Sequence, residues 1–84
     1  MVKVGDKIQA TGFGEFFSAI LLGFSGRGIV IYVHGAGNLE DRFKELVEET
    51  INFERINEGI IYIDEQSHKA CWLADGDYEV IQSA

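Results

Sequence analysis

Apolar positions alternate along most of this chain and step by threes and fours in one segment. Val2, Val4, Ile8 and Ala10 fall on alternate positions, broken by Gly5-Asp6. This predicts a turn at Gly5-Asp6 and a strand over Lys7–Thr11. Phe16–Phe24 and Ile29–His34 predict a hairpin joined by Ser25-Gly26-Arg27-Gly28, with Gly26 supplying the positive φ of a type II′ turn. Its register sets Phe24 against Ile29, Leu22 against Ile31 and Ile20 against Val33, all on one face. Ile60–Asp64, Lys69–Ala74 and Tyr78–Gln82 predict a meander turning at Glu65–His68 and at Asp75-Gly76. That register pairs Asp64 with Lys69, Tyr62 with Cys71 and Ile60 with Leu73, then Leu73 with Tyr78 and Cys71 with Val80.

The helical segment begins after Asn38. Leu39, Phe43, Leu46, Val47, Thr50 and Ile51 make one stripe, with Glu45, Glu48 and Asn52 opposite. Asn38 is a good N-cap residue, Asp41 takes the capping-box position, and Glu40 and Asp41 suit the positive helix end. A helix over Leu39–Ile51 follows. Residues 50–56 either end it or start a strand, because Thr50-Ile51-Asn52-Phe53 has strand propensity.

The expected fold is therefore α+β in a single domain, residues 1–84. About five or six antiparallel strands curl strongly into a barrel- or sandwich-like sheet, with one amphipathic helix inserted after the third strand. The curl is an accounting result. A helix about 20 Å long covers two or three strands spaced about 4.8 Å apart. Several strands are apolar on both faces, so the sheet curls or a second copy covers what is left. A homo-oligomer is expected, a dimer above other states. The opening Val2-Lys3-Val4-Gly5-Asp6-Lys7-Ile8 resembles the first strand of small SH3-like barrels, and the helix after the third strand departs from that pattern.

Composition narrows the functional classes. With 84 residues and 46% of them hydrophobic, the chain has material for one core. Its single cysteine, Cys71, forms no internal disulfide, and no secretory leader pattern is seen, so a cytoplasmic location is expected. The apolar stretches are too short for a membrane span. The net charge is −7, with residues 37–84 carrying twelve acids against four bases. Such a chain repels phosphate, so neither nucleic acid nor membrane is an expected partner, whereas a basic protein is.

Each motif with chemical potential has a plainer explanation. His34-Gly35-Ala36-Gly37-Asn38 could cradle an anion, but it lacks a third glycine and a Walker lysine, and a tight turn accounts for it. His34, His68 and Cys71 fall short of a four-ligand metal set, and no metal or other cofactor is expected. Nothing marks Cys71 as an activated nucleophile. The carboxylate pairs Glu48-Glu49, Asp64-Glu65 and Asp75-Gly76-Asp77 fall on the polar helix face and in turns, so no catalytic residue is named.

Two surfaces remain as candidates. Phe17, Leu21, Tyr32 and His34 form an interface or ligand patch on the second face of the first hairpin. Glu45, Glu48 and Glu49 form an acidic helix face. The leading expectation is a non-enzymatic interaction module that self-associates through apolar sheet surface. Its alternatives are a small-molecule binder or minor enzyme with a pocket of Tyr32, Tyr62, Trp72 and Tyr78, and an acidic inhibitor of a basic protein.

Overall fold

Alternation of apolar and polar side chains builds an antiparallel sheet of five strands, and the one stretch with helical period builds its cover. The computed structural model describes residues 1–11 and 23–84. Within them the strands are β1 (Lys7–Ala10), β2 (Arg27–Val33), β3 (Ile60–Asp64), β4 (Ala70–Leu73) and β5 (Tyr78–Gln82). The helix α1 (Asp41–Glu48) lies between β2 and β3 in sequence. The strand order is β4-β3-β2-β1-β5, so the sheet is not closed and β4 and β5 are its edges. The molecule is a small α+β domain. Counting β2 as the third strand depends on Phe16–Phe24, and residues 16–22 of that segment lie outside the described residues.

The first turn forms as the sequence implies. Gly5 takes φ +97°, and the Asp6 N–H donates to the Lys3 carbonyl at 3.1 Å. The β3–β4 register is also as expected, with Ile60 opposite Leu73, Ile61 opposite Trp72 and Tyr62 opposite Cys71.

Two expected pairings are not made. Ile29 sits between Lys7 on β1 and Ile63 on β3, which leaves no free edge for Phe24. Gly26 has the anticipated positive φ of +72°, but the strand starts at Arg27 and the Gly26 carbonyl accepts from Ala10. Leu22 and Ile20 lie outside the described residues. The second correction concerns β5. Its Tyr78, Glu79 and Val80 stand opposite Ala10, Gln9 and Ile8, at the far edge from β4. The turn at Asp75-Gly76 does form, with Gly76 at φ +85° and the Asp77 N–H bonded to the Ala74 carbonyl. It carries the chain across the sheet instead of back along β4.

Side-chain alternation divides the core in two. On one face Ile8, Ala10, Val30, Ile60, Tyr62 and Leu73 are buried together, with Val2, Val33, Cys71 and Tyr78 packed against them. On the other, Ile31, Tyr32, Ile61 and Ala70 pack with Leu39 and Val47 from the helical side. The register slips between Val30 and Tyr32, and this bulge lets consecutive Ile31 and Tyr32 enter the same cluster. The helical layer thus reaches β2, β3 and β4, about the span its width allows.

The helix is shorter than its apolar stripe. Its N-cap is Glu40, with φ −64° and ψ 140° and no side-chain cap; Asn38 does not serve. Arg42 bonds the Glu40 carboxylate at 2.7 Å, and Lys44 that of Asp41 at 2.9 Å. The helical segment then ends early, where the Thr50 hydroxyl donates to the Ala70 carbonyl of β4 at 2.6 Å. Residues 50–56 become neither more helix nor a strand. They bend into a 3-10 turn, Phe53–Arg55, whose Phe53 ring meets Tyr32 edge-on at 5.0 Å. Among the described residues no helix is long and apolar enough to cross a membrane.

Candidate functional site

The two edges of the sheet differ. Along β4, the segment that follows α1 supplies partners. Besides Thr50, the Trp72 indole N–H donates to the Glu58 carbonyl at 2.8 Å, and the Asp75 N–H to the Glu58 carboxylate at 3.3 Å. Along β5, every residue from Glu79 to Ala84 is exposed, Val80 at 40% and Ile81 at 46%. Ile29 on β2, at the end of the sheet α1 does not cover, is 45% exposed. Around Ile29 the surface is polar. Glu65 bridges Lys7 at 3.0 Å and Arg27 at 3.7 Å, and Arg27 also donates to the Gln9 side chain at 2.9 Å.

The residues singled out from the sequence are placed as follows. Tyr32 is buried, and its hydroxyl lies 3.3 Å from Nδ1 of the exposed His34. Phe53 covers the Tyr32 ring, so this part of the patch presents only His34 to solvent. Phe17 and Leu21 lie outside the described residues. Glu45, Glu48 and Glu49 are all exposed on the outer side of the helical segment. The four aromatics proposed for a pocket are not brought together. Tyr32 packs on the helix-covered face, Tyr62 and Tyr78 on the other, and Trp72 lies at the β4 edge.

A cleft of about 650 Å³ does open beside α1, with Leu39, Val47, Ile51 and Phe53 as apolar walls and Lys44 and Glu48 among its polar ones. A smaller hollow of about 350 Å³ adjoins it and includes Tyr32 and Asn38. The Lys44 ammonium that borders both is held by Asp41.

The reactive groups are quiet. Burial pushes the Cys71 thiol up to about 11; a Tyr62 hydrogen bond opposes this, and the Asp64 charge adds to it. A thiol so raised is a poor nucleophile at neutral pH. No cluster of three or more His, Cys, Asp or Glu suited to a metal occurs among the described residues. Gly35 and Gly37 take φ +83° and +120° in the turn before α1, the tight-turn role expected of them.

Sequence reasoning missed the two buried carboxylates. Asp64, fully buried, accepts from the backbone N–H groups of Gly26 (2.8 Å), Ser25, Gln66 and Ser67. Burial pushes its carboxyl up, but these N–H donors outweigh burial and hold it below the ordinary carboxylate value. Asp6 accepts from the Ala84 N–H at 2.8 Å and the Lys3 N–H at 3.0 Å. The Ala84 bond, then the Lys3 bond, lower its carboxyl against the effect of burial, with the Lys3 ammonium helping. The local half of the Asp64 cage has a sequence signal, since Asp followed by a polar turn caps its own backbone two residues on. The half that reaches Ser25 and Gly26 has none. Both carboxylates are saturated structural anchors.

No family model matches the chain, and no curated protein and no solved structure shows significant similarity to it.

Proposed function

We propose that this protein is a non-enzymatic interaction module that self-associates through apolar sheet surface, as a dimer. The observation that supports it is the exposure of Ile29, Val80 and Ile81, strand positions that no helix among the described residues covers. Large aliphatic side chains on strands at an uncovered end are what association would bury. The raised Cys71 thiol and the saturated Asp6 and Asp64 carboxylates weigh against catalysis at those groups. The lone half-buried cysteine suits a reducing compartment such as the cytoplasm.

The same reading treats the sheet as strongly curled and barrel-like. Its support is connectivity. In a flat sheet β4 and β5 would stand about 19 Å apart, four strand spacings. The Ala74–Asp77 turn closes within about 7 Å, so the path from Leu73 to Tyr78 spans at most about 15 Å. This span favours edges that bend toward each other. Tyr78 of β5 packs on the same cluster as Cys71 and Leu73 of β4, which fits that bend.

Light scattering across a concentration series tests the function. The wild type should approach twice the monomer mass at high concentration, and Ile81→Lys should lower it. A wild type that stays monomeric at every concentration overturns the reading. A second reading has its own support in the exposure of Glu45, Glu48 and Glu49, a face suited to a basic protein. A basic partner captured there should be released by salt, and capture indifferent to salt removes that reading.

A further inference from the structure

We infer that the cleft beside α1 binds a small organic cation, an apolar body that carries one ammonium or guanidinium group. This goes beyond self-association, which is read from other residues, Ile29, Val80 and Ile81. It is also a different site from the expected pocket of Tyr32, Tyr62, Trp72 and Tyr78, whose members the fold does not bring together.

The walls define the body of the ligand. They come from one described stretch, Leu39 to Glu54. Leu39 and Val47 are buried, and Ile51 and Phe53 are half-buried, so a guest meets aliphatic carbon and one aromatic ring. The volume of about 650 Å³ lies within the roughly 300–1,000 Å³ of small-molecule sites, which are mostly apolar with a few polar groups that fix orientation.

Charge selects the head group. Lys44 is the one basic side chain on the cleft and on the adjoining hollow, against Glu48, Glu54 and Asp41. Its ammonium is already matched by Asp41 at 2.9 Å. The Asp41 hydrogen bond, then the Asp41 charge, raise Lys44 above its ordinary value; burial opposes this and the Glu48 charge adds to it. An anionic ligand would have to displace Asp41. Neither Glu48 nor Glu54 enters a salt bridge among the described residues. The helix contributes the same sign. Glu48 is the last residue of α1, and the last turn holds no basic side chain. The carbonyl end of a helix carries about half a negative charge, which a cation stabilises and a carboxylate opposes. A bound cation supplies the charge that this helix end lacks.

Three probes of similar size test the assignment: phenylpropylamine, the neutral phenylpropanol and the anionic phenylbutyrate. Each is titrated to millimolar concentration and followed by two-dimensional amide NMR of the isotope-labelled protein. The amine should shift the amides of Leu39, Val47, Ile51 and Phe53, bind more tightly than the alcohol, and weaken with added salt. The carboxylate should bind least. Glu48→Gln and Glu54→Gln, both at exposed positions, should each weaken the amine about two- to fivefold, and Lys44→Gln should tighten it by a similar factor. A carboxylate that binds as tightly as the amine overturns the proposal. So do amine shifts confined to residues away from the cleft, or no shifts there with any probe. If a glutamine variant fails to fold by circular dichroism, the ranking of the three probes on the wild type and its salt dependence decide.

Discussion

Replacing Asp64 with alanine removes the acceptor that ties two turns to the end of β3. The Gly26 N–H, from a buried residue, loses its bond to Oδ1. A buried donor left unpaired costs about 1–3 kcal/mol. The Ser25, Gln66 and Ser67 donors belong to residues that water reaches in part, so each costs about 0.5–1 kcal/mol. Together Asp64→Ala should lose about 2.5–6 kcal/mol, against a total of about 4–13 kcal/mol for a chain this long. At about 4–8 °C per kcal/mol, the thermal midpoint should fall by at least about 10 °C. Asp64→Asn keeps one acceptor oxygen but turns an NH2 toward N–H donors, so its loss should be intermediate, about 2 kcal/mol.

Acid supplies an independent check. The folded carboxyl lies below its unfolded value, which is near 4, so the stabilisation is whole above about pH 5 and drains as pH falls through the folded value. The gap between wild type and Asp64→Asn should therefore narrow in acid. Asp6 is lowered as well, so the comparison is made with Asp64→Asn at each pH. Urea melts from pH 7 to pH 2.5 read both quantities. If both variants stay within about 1 kcal/mol of wild type at pH 7, the cage around Asp64 does not act as described.

Two further outcomes follow from local geometry. At Gly28 a Cβ would overlap the Ile63 carbonyl, with the Tyr62 ring at 3.1 Å, so Gly28→Ala should part β2 from β3 and cost about 3 kcal/mol or more in a urea melt. Gly35→Ala, at φ +83° in open space, should cost only about 1–2 kcal/mol, and equal losses would refute the close approach at Gly28. Cys71, its thiol raised to about 11, should react with iodoacetamide at pH 7.5 at least about tenfold more slowly when folded than in urea. Equal rates would mean the thiol is not desolvated.

Much of the local structure was legible in the residues. Gly5, Gly26 and Gly76 take the positive φ their turns require. The β3–β4 register follows from two apolar runs joined by a short polar loop, because a slip of one residue would turn Ile60 and Tyr62 away from Leu73 to the opposite face. Even the face of Tyr78 came out correctly, since alternation along the chain fixes side regardless of neighbour. Of the two patch residues that the structure describes, Tyr32 and His34, only His34 reaches the surface, because Phe53, twenty-one positions beyond Tyr32, folds back over that ring.

Pattern along the chain thus determined which segments extend, where they turn and which side chains point inward, since these depend on backbone sterics and the two-residue period. Partnership was decided in three dimensions. An unpaired edge accepts any strand of suitable parity, and in the folded chain β5 pairs with β1 and not β4, and Ile29 with Lys7 and Ile63 and not Phe24. The bonds from Asp64 to Ser25 and Gly26 join positions nearly forty residues apart, and only folding brings such groups within 3 Å.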